Sequence, residues 1–148
     1  MDPRLFFALA GRLAGGSDPS ELRTSISRCY YAVYHVAVLL LRQMGIEPLS
    51  GPQGHSAVKN GLLASQDPGL VKIGSDLDTL HGERRRADYD MTDVRPESAK
   101  TAAAVFNQAG RMLAALDACR LAAPRCAQAE AAIKRWAANT PGSGLRVV

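Results

Sequence analysis

The chain has 148 residues, a length that suits a single domain with its own hydrophobic core. Its formal net charge of +4 is compatible with an anionic partner such as nucleic acid but does not demand one. Three cysteines without a Cys-x-x-Cys pair argue against a disulfide framework or a zinc knuckle, so we expect a reduced, cytoplasmic protein. No signal peptide and no stretch of membrane-span length is found, and we expect no membrane segment.

The first two predicted helices each begin at an Asp-Pro step, which is typical of a helix N-terminus. One runs from Pro3 to about Ala14, and the second, the central helix, runs from Pro19 to about Met44. The apolar positions of the central helix recur at helical spacing and are Leu22, Ile26, Cys29, Tyr30, Val33, Ala37, Leu40 and Met44. Tyr31, Tyr34, Val38 and Leu41 add a second apolar face. We therefore expect this helix to be covered on most sides.

The rest of the chain is predicted to continue with helices separated by short loops. The predicted segments are a loop at 46–54, helices at 55–65, 70–89, 96–122 and 125–138, a linker at 90–94 and a flexible tail at 139–148. This pattern predicts an all-α, up-and-down bundle of four to five antiparallel helices with a short extra helix. Residues 1–138 are expected to form one domain.

Polar side chains interrupt the apolar pattern of the central helix. Arg28 and His35 are seven residues apart, two helical turns, and therefore project from one face with Tyr31 between them. A guanidinium, a phenol and an imidazole in one notch could grip a phosphate and transfer a proton. In the structural alternative, Arg28 pairs with a carboxylate, while Tyr31 and His35 satisfy their polar atoms within the core.

A second polar group follows on the helix predicted at 70–89. His81, Arg84 and Asp88 lie at positions i, i+3 and i+7, hence on one face, and Arg84 and Asp88 are spaced to form an ion pair. Arg85 points elsewhere and belongs to a basic patch that nearby acidic residues largely offset. The aspartates near residue 90 are read as a solvated helix end, and no metal site is predicted.

These two groups carry a resemblance to a known family. Ser27-Arg28-x-Tyr30-Tyr31-Ala32-x-x-His35 and Arg84-x-x-Ala87-Asp88-Tyr89 resemble the paired signatures of HEPN domains, the "higher eukaryotes and prokaryotes nucleotide-binding" superfamily. The segment starting at His55 resembles the histidine-led short helix found between those signatures. The resemblance covers roughly residues 5–116.

The resemblance implies a helical bundle, often a symmetric dimer, in a superfamily rich in RNA-processing proteins. Many members are metal-independent ribonucleases, commonly toxins encoded beside a small nucleotidyltransferase antitoxin, whose motif is an Arg followed a few residues later by a His. This chain departs from that motif, because Asp88 and Tyr89 stand where the histidine after Arg84 is expected. Arg28 and His35 satisfy the spacing of that motif formally, with six residues between them, but they belong to the central-helix signature.

Three functions follow as expectations. The first is a dimeric binding module for RNA, a nucleotide or a partner protein such as a nucleotidyltransferase, without a cofactor. Its candidate binding residues are Arg28, Tyr31, His35, His55, Arg84, Arg85, Asp88 and Tyr89. The second is a metal-independent endoribonuclease toxin, whose candidate catalytic residues are Arg28, His35, His81 and Arg84. The third is a purely structural role, in which the same polar side chains fix the register of the helices.

Overall fold

The computed structural model describes all residues 1–148 and shows an all-α helical bundle, which confirms the predicted fold class. The helices are α1 (Arg4–Ala14), α2 (Pro19–Gln43), α3 (Pro52–Ala64), α4 (Pro68–Tyr89), α5 (Ala99–Leu121) and α6 (Ala123–Ala138). A short 3-10 turn covers Arg95–Glu97, and two three-residue strands are β1 (Ile46–Pro48) and β2 (Leu145–Val147). None of the helices combines the length and the apolar character needed to cross a bilayer.

The two Asp-Pro steps act as helix starts, as predicted. The Asp2 carboxylate accepts a hydrogen bond from the backbone N–H of Arg4 at 2.9 Å, and Asp18 accepts one from the N–H of Ser20 at 2.8 Å. Both bonds satisfy donors that the first helical turn leaves without a partner. The start of α2 at Pro19 is confirmed, whereas α1 begins one residue after Pro3.

The residues group into two compact units that are described separately. The first unit contains Met1–His35 and Leu77–Leu113, and the second contains Val36–Asp76 and Ala114–Val148. Helices α2, α4 and α5 each contribute residues to both units. All eight residues predicted for the first apolar face of α2 are buried, which confirms that face.

In the first unit, α1 and α5 approach closely through two phenylalanines and two glycines. The rings of Phe7 and Phe106 stack with centroids 4.4 Å apart. A Cβ atom at Gly11 would lie 3.0 Å from the Phe106 ring, and one at Gly110 would lie 3.2 Å from Phe7. The missing side chains therefore let each helix receive the ring of the other.

Arg23 is a buried charge in the first unit that the sequence analysis did not single out. Its Nε and Nη2 both donate to Glu97 Oε1, at 2.9 and 2.7 Å. The guanidinium also donates to the backbone carbonyls of Ala87 at 3.1 Å, Asp90 at 3.0 Å and Asp93 at 2.6 Å. Carbonyls at the end of a helix have no partner within that helix. Arg23 thus caps the C-terminus of α4 and holds the following segment.

In the second unit, the segments at 46–48 and 145–147 differ from their predicted loop and tail. They pair as antiparallel strands, with Ile46 opposite Val147 and Pro48 opposite Leu145. The chain approaches β2 through Gly144, whose φ of +74° favours glycine and whose added Cβ would lie 2.7 Å from the Ala57 Cβ. Strands of three residues are too short to show a period of two, so the pattern could not reveal them.

We expect Arg23→Ala to lower the free energy of unfolding by about 3 kcal/mol, because several backbone carbonyls and Glu97 lose their shared donor. Arg23→Lys keeps the charge without the planar fork and should recover only part of the loss. Urea unfolding measures both, with the exposed Arg12→Ala as a control. Equal stability of Arg23→Ala and wild type would contradict the capping role.

Candidate functional site

The two signature segments meet in the first unit, where α2 and α4 place their polar residues against each other. Arg84 Nη2 on α4 donates a hydrogen bond of 2.7 Å to the phenol oxygen of Tyr31 on α2. Aromatic contacts extend the group to α1. The resulting arginine–aromatic cluster consists of Phe6, Arg28, Tyr31, His35, Arg84, Asp88 and Tyr89.

Within the arginine–aromatic cluster, Arg84 is engaged by neighbours on several sides. Its Nη2 also donates to the Tyr89 hydroxyl at 3.2 Å, and its guanidinium carbon lies 5.2 Å from the ring centroids of Tyr31 and Tyr89. Its buried Nε forms an ion pair with Asp88 Oδ2 at 2.7 Å. The angle at the N–H group does not fit a hydrogen bond. Burial opposes the charge, but Tyr31 and Asp88 raise the pKa of Arg84, which stays protonated.

Asp88 is a second contact between α4 and α2. The predicted ion pair between Arg84 and Asp88 is confirmed. Asp88 Oδ2 also accepts a hydrogen bond of 3.1 Å from the hydroxyl of the buried Ser27 on α2. The carboxylate therefore neutralises Arg84 and ties it to α2.

Arg28 sits in a different environment although it belongs to the same cluster. Its guanidinium carbon lies 5.1 Å from the Tyr31 ring centroid and 5.2 Å from that of Phe6, so two rings hold it in place. Its one hydrogen bond is a long contact of 3.5 Å from Nη2 to the Ser27 hydroxyl, and its buried Nε has no partner. The carboxylate partner offered by the structural alternative is not found.

His35 shares the aromatic surroundings of Arg28. Its ring centroid is 6.1 Å from that of Tyr31 and 6.3 Å from that of Phe6, the same two rings that Arg28 contacts. The predicted arrangement of Arg28, Tyr31 and His35 on one face of α2 is therefore present. All three side chains are half-buried, so the group is partly open to solvent.

The remaining candidates fall into other settings. The His81 ring stacks on Tyr30 at 5.0 Å, and burial raises the pKa of this tyrosine, which keeps its hydroxyl protonated. His55 lies on α3 in the second unit, and Arg85 is exposed on α4. No group of three or more His, Cys, Asp or Glu side chains is arranged to hold a metal ion.

Phe6 is the cluster member that sequence reasoning missed. Its contacts with Arg28, Tyr31 and His35 on α2 depend on the packing of two helices. The adjacent pair Phe6-Phe7 was the available signal. Neighbouring residues of a helix point in different directions, so the two rings cannot both pack against the same neighbouring helix.

No protein-family model, curated protein or solved structure matches the chain.

We expect Arg84→Ala to lower the free energy of unfolding by about 2–3 kcal/mol, because Asp88 loses its countercharge and Tyr31 its donor. Tyr31→Phe should cost about 1 kcal/mol. The double variant should lose less than the sum, since both changes remove the same bond. Urea unfolding of the four proteins measures the coupling, and Arg85→Ala serves as the exposed control. Strictly additive losses would contradict a working Arg84–Tyr31 contact.

Proposed function

We propose that the chain is a binding module for an anionic partner, RNA or a nucleotide, with Arg28 as the residue that grips the phosphate. The resemblance to HEPN domains suggests this class of ligand. The observation that carries the proposal is the difference between the two arginines of the cluster. Arg84 is neutralised by Asp88 within the chain, whereas Arg28 is oriented by two rings and has no carboxylate partner.

Arg28 is a half-buried cation without a countercharge. A guanidinium removed from water without a countercharge or a full set of hydrogen bonds destabilises the folded state. Ring stacking offsets part of this penalty and leaves the fork of donors in a fixed orientation. A phosphate would supply the missing charge and accept hydrogen bonds from Arg28, so binding gains from an orientation that is already set.

The aromatic neighbours favour a nucleic-acid ligand over a bare anion. Phe6, Tyr31 and His35 are half-buried around Arg28, and rings beside a phosphate-binding arginine offer faces and edges on which bases stack. Single-stranded RNA presents unstacked bases to such side chains. The net charge of +4 is compatible with such an anionic partner.

A metal-independent endoribonuclease is the second candidate, and the placement of His35 favours it. Arg28 and His35 contact the same two rings, Phe6 and Tyr31. An imidazole beside a phosphate-binding guanidinium is suited to proton transfer near neutral pH. In this scheme Arg28 would neutralise the phosphate and His35 would transfer the proton.

The sequence also suggests partners and a cellular location for the chain. We propose a symmetric homodimer and a small nucleotidyltransferase partner, both of which come from the resemblance to HEPN domains. The three cysteines, Cys29, Cys119 and Cys126, are free thiols, which agrees with the proposed reducing, cytoplasmic setting.

Arg28→Ala should weaken the binding of fluorescently labelled single-stranded RNA about tenfold, because one charge-assisted contact to phosphate is lost. The slope of log affinity against log salt should fall by about one. Arg28→Lys should lie between wild type and Arg28→Ala, since it keeps the charge but loses the ring-stacked fork. Fluorescence anisotropy over a salt series measures all three.

Arg12→Ala is the matched control, because Arg12 is an exposed arginine of the same unit outside the cluster. If Arg12→Ala and Arg28→Ala weaken RNA binding equally, the charge acts non-specifically and the proposed site is wrong. The same RNA incubated with EDTA tests the second candidate. Cleavage by wild type that disappears in both Arg28→Ala and His35→Ala would establish the ribonuclease instead.

A further inference from the structure

A polar cavity lies in the second unit, and none of its lining residues belongs to the arginine–aromatic cluster. It has a volume of about 410 Å³ and is lined by the loop between α3 and α4 and by one side of α6. This volume falls within the range of small-molecule sites. Its polar lining includes Gln66, Asp67, Arg125, Gln128 and Arg135.

Asp67 and Arg125 form the fixed wall of this cavity. Arg125 Nη2 donates to Asp67 Oδ1 at 2.8 Å, and its Nε donates to Oδ2. Asp67 Oδ1 also accepts the backbone N–H of Leu70 at 2.9 Å, which caps α4. Hydrogen bonds from Arg125 lower the pKa of the Asp67 carboxyl, which therefore stays ionised. Both carboxylate oxygens are occupied, while Arg125 keeps its Nη1 donors for another partner.

Gly69 also helps to position Arg125. An added Cβ at this position would collide with Arg125 Nη2 and would lie 3.2 Å from Asp67 Oδ1. The glycine therefore leaves the space through which Arg125 reaches the N-terminus of α4. The orientation of Arg125 is set by the backbone as well as by the ion pair.

Gln66 provides an independent sign of function. With a φ of 58°, it is the one residue other than glycine with a positive φ, at a position after a helix where glycine is usual. Its exposed side chain lines the cavity and makes no hydrogen bond within the chain. No hydrogen bond of the Gln66 side-chain amide therefore offsets the strain of its backbone. Residues with strained backbones concentrate at ligand sites.

Two residues of α6 complete the lining with unused donors. Gln128 and Arg135 are seven positions apart, two helical turns, so both project toward the cavity. The Arg135 guanidinium is exposed and has no carboxylate partner. Two arginines against the single carboxylate of Asp67 leave the lining with a net positive charge, and the two glutamine amides add neutral donors.

We propose that this cavity binds a small oxyanion, the phosphate of a phosphate ester or the carboxylate of an organic acid. Arg135 and the outer edge of Arg125 contact the anionic oxygens, because the guanidinium fork matches both groups. Gln66 and Gln128 donate from their amides. Asp67 is a positioning residue that holds Arg125 and does not contact the ligand. This second site is independent of the RNA site proposed at Arg28.

Isothermal titration with inorganic phosphate and with citrate tests the site, using the full chain in an Arg28→Ala background so that phosphate held at Arg28 does not contribute. We expect saturable binding of at least one of the two anions, and the anion that binds identifies the ligand chemistry. Arg135→Ala should weaken that binding about tenfold. Arg120→Ala, an exposed arginine of the same unit outside the lining, should leave it unchanged.

Gln66→Gly separates a binding role from a structural one. Glycine adopts the left-handed conformation without strain, so the melting temperature of the unliganded variant should equal or exceed that of wild type. Binding of the oxyanion should nevertheless weaken. The proposal is overturned if neither anion binds saturably, or if Arg135→Ala and Gln66→Gly both bind as tightly as the background protein.

Discussion

The contact between Arg84 and Tyr31 is the interaction on which the account of the site depends. It joins α4 to α2 across a gap in sequence of more than fifty residues and brings the two signature segments together. Asp88 supplies the countercharge on the same helix and reaches Ser27 on α2. Because Asp88 neutralises the charge of Arg84 within the chain, Arg28 is the arginine of the cluster that has no countercharge.

The two arginines show how position decides the role of identical side chains. Arg84 faces acceptors on two helices and acts as a link, as the structural alternative expects for that residue. Arg28 lies against rings and has one long contact to a hydroxyl, so its charge stays available. A structural role for Arg84 and a proposed binding role for Arg28 therefore fall in one cluster, and the proposal of a ligand site rests on the second arginine alone. Arg23 shows a third outcome, a buried cation completely surrounded by acceptors.

Features determined by local sequence were predictable. The starts of α1 and α2 follow from Asp-Pro steps, the buried face of α2 follows from helical spacing, and the Arg84–Asp88 pair follows from its four-residue separation. The common face of Arg28 and His35 was predictable for the same reason. Each of these depends on the geometry of a single helix, which sequence spacing encodes directly.

Features created by contacts distant in sequence were not predictable. Arg23 bonds to residues 63–74 positions away, and no local pattern marks which arginine on a helix will be buried. Phe6 enters the cluster through the packing of α1 against α2, and Arg125 meets Asp67 across 58 residues. The strands at 46–48 and 145–147 could not be predicted either, because each is three residues long and its partner is about a hundred residues away in the sequence.

The central claim is that Arg28, and not Arg84, is the cation that an external anion reaches. Side-chain NMR of the arginine Nε–Hε groups tests it directly, with the two signals assigned from Arg28→Lys and Arg84→Lys variants. On titration with a short single-stranded RNA, the account predicts that the Arg28 signal shifts progressively to saturation while the Arg84 signal stays in place. A saturating shift of the Arg84 signal with an unchanged Arg28 signal would contradict it.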